Sequence, residues 1–143
     1  MKRHIVIDID GVISDASARQ PFLDESWEAY HAALAQDPPI EPTLSVIKGL
    51  SAAGYEILVC TGRPARYDRQ TLSWLNKYEV PATELLMRGE NDYRSEAEVK
   101  IGLLTDYFGS LEAAQENVLV GFEVKDKTVE ALRNNGFQIW SLS

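Results

Sequence analysis

Apolar residues along this chain fall into two patterns. Short β-branched runs alternate with longer stretches in which they recur every three or four positions. The first run, Ile5-Val6-Ile7-Asp8-Ile9-Asp10-Gly11-Val12-Ile13, predicts a buried strand over about His4 to Asp8. Similar runs predict strands over Tyr55 to Cys60, Glu84 to Arg88, Asn117 to Phe122 and Phe137 to Leu142. Helical spacing places Trp27, Tyr30, His31 and Leu34 on one face, with Asp24 as N-cap and Asp37-Pro38-Pro39 as terminator. Pro42 opens a second helix with a stripe of Leu44, Ile47 and Leu50, stopped at Gly54. A third covers about Ala65 to Tyr78, with Leu72, Leu75 and Tyr78 inward. A fourth carries Ala97, Ile101, Leu104 and Phe108, and a fifth covers Asp126 to Asn135. The polar segment Ser14 to Leu23 lacks either period and reads as a loop. Strands that alternate with helices predict an α/β fold whose parallel sheet is covered on both faces.

Composition narrows the class. A length of 143 residues suits one domain, residues 1–143, with a real core. No apolar run reaches membrane-spanning length and no secretory pattern is evident. The single cysteine, Cys60, excludes an internal disulfide and cysteine-based zinc sites, so a reducing cytoplasm is the expected location. A formal net charge of -8 opposes non-specific binding along a nucleic-acid backbone, yet it suits a site that gathers a divalent cation.

The chemistry-bearing residues sit at the predicted strand ends. Asp8 and Asp10 close the first strand, and Thr61-Gly62-Arg63 follows the second. Arg88 closes the third, with Lys100 on the helix behind it, and Glu123 closes the fourth, with Asp126 three residues on. In a parallel sheet these ends converge on one rim. Carboxylates there suit Mg²⁺, while a hydroxyl and cations suit phosphate oxygens. Arg63 and Arg88, beside strand ends, are candidates for contact with substrate phosphate or backbone. Arg69 and Arg94 are equally open to a surface role, and Arg19 follows the first motif in the predicted loop. His4, His31 and the three tryptophans Trp27, Trp74 and Trp140 read as structural, and Cys60 as core.

This order of groups resembles the haloacid dehalogenase superfamily of phosphotransferases. The matching motifs are Asp8-Ile9-Asp10-Gly11-Val12, then Thr61 in Val59-Cys60-Thr61-Gly62-Arg63-Pro64, then Lys100, then an acid at Glu123. Thr-Gly-Arg-Pro, Tyr67-Asp68-Arg69-Gln70-Thr71, Leu86-Met87-Arg88 and Asp92-Tyr93-Arg94 are similar to the 3′-phosphatase domain of phage-type polynucleotide kinases. The resemblance implies a three-layer Rossmann-like fold with a five-stranded parallel sheet in order 5-4-1-2-3. The segment between Val12 and Tyr55 is too short for a large cap domain.

The resemblance also implies roles. Asp8 would be the nucleophile and Asp10 the general acid and then base, its side chain turned from the metal and able to be protonated. Thr61 and the Gly62 amide would hold phosphoryl oxygens, and Lys100 would offset charge. Mg²⁺ would be bound by Asp8, the Asp10 carbonyl and Glu123. One departure stands out. The family commonly has adjacent aspartates at the fourth motif, whereas this chain has Glu123-Val124-Lys125-Asp126, so Glu123 or Asp126 would complete the metal site. The expected activity is a Mg²⁺-dependent phosphomonoester hydrolase for nucleotide or polynucleotide 3′-phosphates. A phosphatase for small molecules or mononucleotides, and a non-catalytic phosphate-binding or regulatory protein, are the alternatives.

Overall fold

The computed structural model describes residues 2–143. Five strands, β1 (His4–Ile7), β2 (Glu56–Pro64), β3 (Ala82–Arg88), β4 (Val118–Glu123) and β5 (Ile139–Ser141), form one parallel sheet. Their order is β3-β2-β1-β4-β5, which is the order the family resemblance implies. The helices are α1 (Trp27–Ala32), α2 (Glu41–Ala52), α3 (Asp68–Lys77), α4 (Glu96–Phe108), α5 (Leu111–Asn117) and α6 (Asp126–Asn134).

Alternation along the strands divides the core into two layers, because successive side chains point to opposite faces. Ile5, Ile7, Ile57 and Val59 pack with Ile47 of α2 and with Trp74 and Leu75 of α3. Val6, Leu58 and Cys60 pack with Leu104 of α4, Ala114 of α5, and Val129 and Leu132 of α6. The central strand β1 is buried on both faces, so its β-branched run needs no polar side.

Several expectations are corrected. The segment read as a loop contains a 3-10 helix, Ser17–Asp24, which accommodates Pro21. Asp24 therefore lies inside that turn, and Ser26 caps α1 instead, its hydroxyl accepting the Ala29 N–H at 2.9 Å. Helix α1 is short and tightens into a second 3-10 segment, Ala33–Gln36, before the two prolines. Thr61-Gly62-Arg63-Pro64 is not a turn; it remains extended and pairs with β3 through a register shift between Thr61 and Pro64. On α3, Trp74 takes the buried position and Leu72 is exposed. Trp27 and Trp140 are also largely exposed, against the packing role expected for them. Helix α5, which the pattern did not predict, is capped by Ser110 accepting the Ala113 N–H.

Candidate active site

The chain leaves β1 through a turn in which the N–H groups of Val12, Ile13 and Ser14 all donate to the Ile9 carbonyl. Gly11 takes φ +84° there, a conformation that costs a side-chain-bearing residue energy. A Cβ on Gly11 would also lie 2.8 Å from Val124 Cγ2. Val124, where the family places a second acid, thus packs over the turn that presents the two aspartates. This turn sends Asp8 and Asp10 into different surroundings.

Asp8 is buried in a cluster centred on Lys100. Lys100 Nζ lies 2.9 Å from Asp8 Oδ2, 2.5 Å from Glu123 Oε2 and 3.6 Å from Glu96 Oε1. Asp8 Oδ1 accepts the Ile9 N–H at 2.7 Å, and Glu123 Oε1 accepts the Val124 N–H at 3.1 Å. Burial pushes the Asp8 carboxyl above the usual range; Lys100 opposes this and Glu123 adds to it. Burial alone would discharge Lys100, but Asp8, Glu123 and Glu96 outweigh it and keep the ammonium charged. Glu96 also meets Lys125 Nζ at 2.9 Å.

Asp10 is gripped by arginines. Arg63 Nη2 and Arg19 Nη2 lie 2.7 Å and 2.6 Å from Asp10 Oδ1, and Arg63 Nε lies 3.2 Å from Oδ2. Burial raises the Asp10 carboxyl, but Arg63 and then Arg19 overcome it and hold the group below its ordinary value. Two guanidiniums thus favour the carboxylate form of Asp10, which the expected acid role works against. The arginines are fixed in turn. Arg19 Nε donates to Asp37 at 2.9 Å, Ser14 Oγ donates to Asp37 at 2.7 Å, and Arg63 Nη1 donates to Thr71 Oγ1 at 3.2 Å.

A cavity of about 460 Å³ opens above these groups, lined by Asp10, Thr61, Gly62, Arg63, Arg88 and Glu96 among others. The buried trio Asp8, Lys100 and Glu123 lines a much smaller neighbouring void. Glu96 joins the two, since it faces the cavity and also contacts Lys100. A Cβ on Gly62 would lie 3.1 Å from Glu96 Oε1, so a larger residue there would press on the Glu96 side chain. Thr61 is buried, its hydroxyl accepting the Arg63 N–H at 3.2 Å.

Arg63 and Arg88 both line the cavity and are both held by other groups of the protein. Arg63 is buried and engaged by Asp10 and Thr71. Arg88 donates to the carbonyls of Gly62, Asp92 and Arg94, so it braces the rim rather than standing free for phosphate. Arg69 is exposed, and Arg94 pairs with Asp92 at 2.8 Å. Asp126 is exposed in a separate surface depression beside Arg133 and is not brought to the Lys100 cluster. Cys60 is buried, its thiol pushed up to about 12 by burial, which makes it inert. Arg19, Asp37 and Glu96 are the parts that sequence reasoning missed or undervalued. Only Glu96 carried a signal, its i,i+4 spacing to Lys100 on one helix.

The donor set suits a hard divalent cation. Three carboxylates (Asp8, Glu123, Glu96) meet two ammoniums (Lys100, Lys125), which leaves the cluster net negative whenever Asp8 is ionised. A buried excess of negative charge is what a cation would relieve. Among the described residues no group of three or more metal-ligating side chains is already gathered around one point. The Asp8 and Glu123 carboxylates and the Asp10 carbonyl are the oxygens that could hold one.

Parallel strands, Asp-x-Asp at the end of β1, Thr61 on β2 and Lys100 behind β3 define a haloacid dehalogenase-like phosphatase. Residues 2–143 match the model of the polynucleotide kinase PNKP phosphatase domain, and the chain belongs to that family. No curated protein matches it. A chain from "Structure of Pnkp1/Rnl/Hen1 complex" is similar, with 24% identity and TM-score 0.82 over 99% of this chain and 46% of the other. A second, from "Structure of the Pnkp1/Rnl/Hen1 RNA repair complex", has 23% identity and TM-score 0.83 over 99% of this chain and 42% of that one. The chain thus spans less than half the length of these two. A Streptococcus pneumoniae TIGR4 hydrolase shares the fold, with 11% identity and TM-score 0.65 over 99% of this chain and 93% of that one. No helix among the described residues is long and apolar enough to cross a membrane.

Proposed function

We propose that this chain is a single-domain Mg²⁺-dependent phosphomonoesterase that removes 3′-phosphates from nucleotides or polynucleotide ends through an aspartyl-phosphate at Asp8. The observation that carries this is the separation of the two aspartates. Asp8 sits against a buried ammonium, while Asp10 lines the open cavity between two arginines.

Asp8 attacks phosphorus, and its carboxyl oxygen forms the new bond as the alcohol oxygen leaves. Lys100 draws Asp8 toward its ionised form, against the burial that raises it, and offsets the charge that gathers there. The Thr61 hydroxyl and Gly62 N–H hold phosphoryl oxygens. Asp10, kept as a carboxylate by Arg63 and Arg19, accepts the proton of the water that attacks the phospho-aspartate. In the preceding step Asp10 gives its proton to the leaving alcohol oxygen, against the pull of the same clamp, and the proton taken from water restores it. Mg²⁺ held by Asp8, Glu123 and the Asp10 carbonyl would neutralise the transferring phosphoryl group.

The PNKP phosphatase family and the likeness to Pnkp1 chains support a nucleic-acid 3′ end as substrate. The acidic net charge of -8 favours recognition of an end over long backbone contact. A panel of phosphomonoesters, assayed with and without Mg²⁺, tests the reading. Faster phosphate release from a 3′-phosphorylated oligonucleotide than from mononucleotides or sugar phosphates supports it. Preference for the small esters favours a small-molecule phosphatase, and no release from any ester favours a non-catalytic binding protein.

A further inference from the structure

We propose that Trp27 and Tyr93 form a stacking track for the last two bases of a single-stranded 3′ end, a substrate assignment that rests on the phosphatase reading of the same site. Trp27 is 56% exposed and Tyr93 is 89% exposed, although both are large aromatic side chains. Trp27 is the outer leaf of an aromatic stack. Its ring centroid lies 5.5 Å from that of Tyr30 at 19°, and 4.7 Å from that of His31 at 89°. His31 in turn stacks on buried Tyr67 at 4.6 Å and 25°. The indole is therefore held in place by the core while much of it stays open to a ligand.

Its position is what gives this meaning. Trp27 lines the catalytic cavity with Asp10 and Thr61, and also a second groove of about 380 Å³ with Arg66, Tyr93 and Arg94. A strand whose terminal phosphate lies near Thr61 would pass over Trp27 and continue toward Tyr93. The groove offers little free charge. Arg66 faces Glu90 at 3.6 Å, Arg94 faces Asp92 at 2.8 Å, and Arg88 is committed to three carbonyls. Binding that cannot draw on free cations must draw on ring stacking, which tolerates any base.

His31, only 4% exposed beneath the indole, has both ring nitrogens buried without a partner among the described residues, so it supports Trp27 by ring packing alone.

The test compares a 3′-phosphorylated oligonucleotide with one ending in an abasic 3′-phosphate, on wild type, Trp27→Ala, Trp27→Phe and Tyr93→Ala. In wild type the abasic end is expected to show a KM higher by on the order of tenfold. In Trp27→Ala that ratio collapses toward one, and Trp27→Phe recovers part of it. Tyr93→Ala raises KM for the oligonucleotide more than for a 3′-mononucleotide, and log KM changes shallowly with log salt. Equal KM for both ends in wild type, or an unchanged ratio in Trp27→Ala, overturns the track while leaving the phosphatase reading intact. If wild type hydrolyses no ester, the phosphatase reading fails. The track is then judged by fluorescence: the 3′-phosphorylated oligonucleotide must quench wild type more than Trp27→Phe, and equal quenching overturns it.

Discussion

Arg63 grips both carboxylate oxygens of Asp10, with Nη2 at 2.7 Å from Oδ1 and Nε at 3.2 Å from Oδ2. The two residues come from different strand ends, and the pair ties β1 to β2 at the mouth of the cavity. Arg63→Ala leaves Asp10 with Arg19 alone and strips Thr71 of a donor. Arg63 is buried while Asp10 is partly exposed, so breaking the pair costs less than a fully buried one, up to about 3 kcal/mol. Urea unfolding is expected to show a loss of that order, together with a large fall in phosphate release. Arg63→Lys retains charge without the fork, so it should fall between Arg63→Ala and wild type in both measurements.

Among the described residues, Lys100 is the ammonium that lies between Asp8 and Glu123. Lys100→Met leaves two buried carboxylates facing each other, and the expected outcome is a marked fall in Tm near neutral pH. Millimolar Mg²⁺ should raise the Tm of Lys100→Met more than that of wild type, because the cation replaces the missing positive charge. Differential scanning calorimetry with and without Mg²⁺ checks this.

His31 gives a pH signature. Burial, then Arg19 and Arg63, depress its pKa from 6.5 to about 4. The unfolded chain therefore binds a proton at a higher pH than the folded chain does. The stability this provides is complete above about 6.5 and is lost as pH falls toward about 4, amounting to at most about 3 kcal/mol. In His31→Phe, which keeps a ring against Tyr67, the decline of urea stability over that interval should be correspondingly shallower.

The strands were legible because β-branched runs in a doubly covered sheet leave an unmixed signal. Strand β2 was read too short because Thr61-Gly62-Arg63-Pro64 has turn-like composition; pairing with β3 and the close approach to Glu96 keep it extended. The 3-10 helix Ser17–Asp24 has no apolar period to read, since what fixes it is Arg19 reaching Asp10 and Asp37. Asp37 looked like a helix terminator before two prolines. Its second role, holding Arg19 and Ser14, depends on contacts with residues far away in sequence. Asp8 and Glu123 meet because neighbouring strand ends in a parallel sheet lie side by side, and Lys100 reaches them from α4. The arginine clamp that keeps Asp10 ionised was not visible, as it is made by side-chain direction rather than by order along the chain.

Gly11 and Val124 should be coupled. Gly11→Ala meets both the positive φ and the 2.8 Å approach to Val124 Cγ2. A loss of about 2 kcal/mol is expected. Val124→Ala removes the clash but not the backbone strain, so the double variant should be more stable than the sum of the singles implies. A double-mutant cycle in urea measures the coupling.

The central claim is that Asp8 becomes covalently phosphorylated. Wild type mixed with a 3′-phosphorylated oligonucleotide and Mg²⁺, quenched in acid within the first turnovers, should yield a phosphoryl adduct that peptide mass spectrometry places on Asp8. Asp8→Asn should yield none and should lose phosphate release by at least about a thousandfold. Phosphate release at the wild-type rate by Asp8→Asn, or an adduct on another residue, would contradict the account.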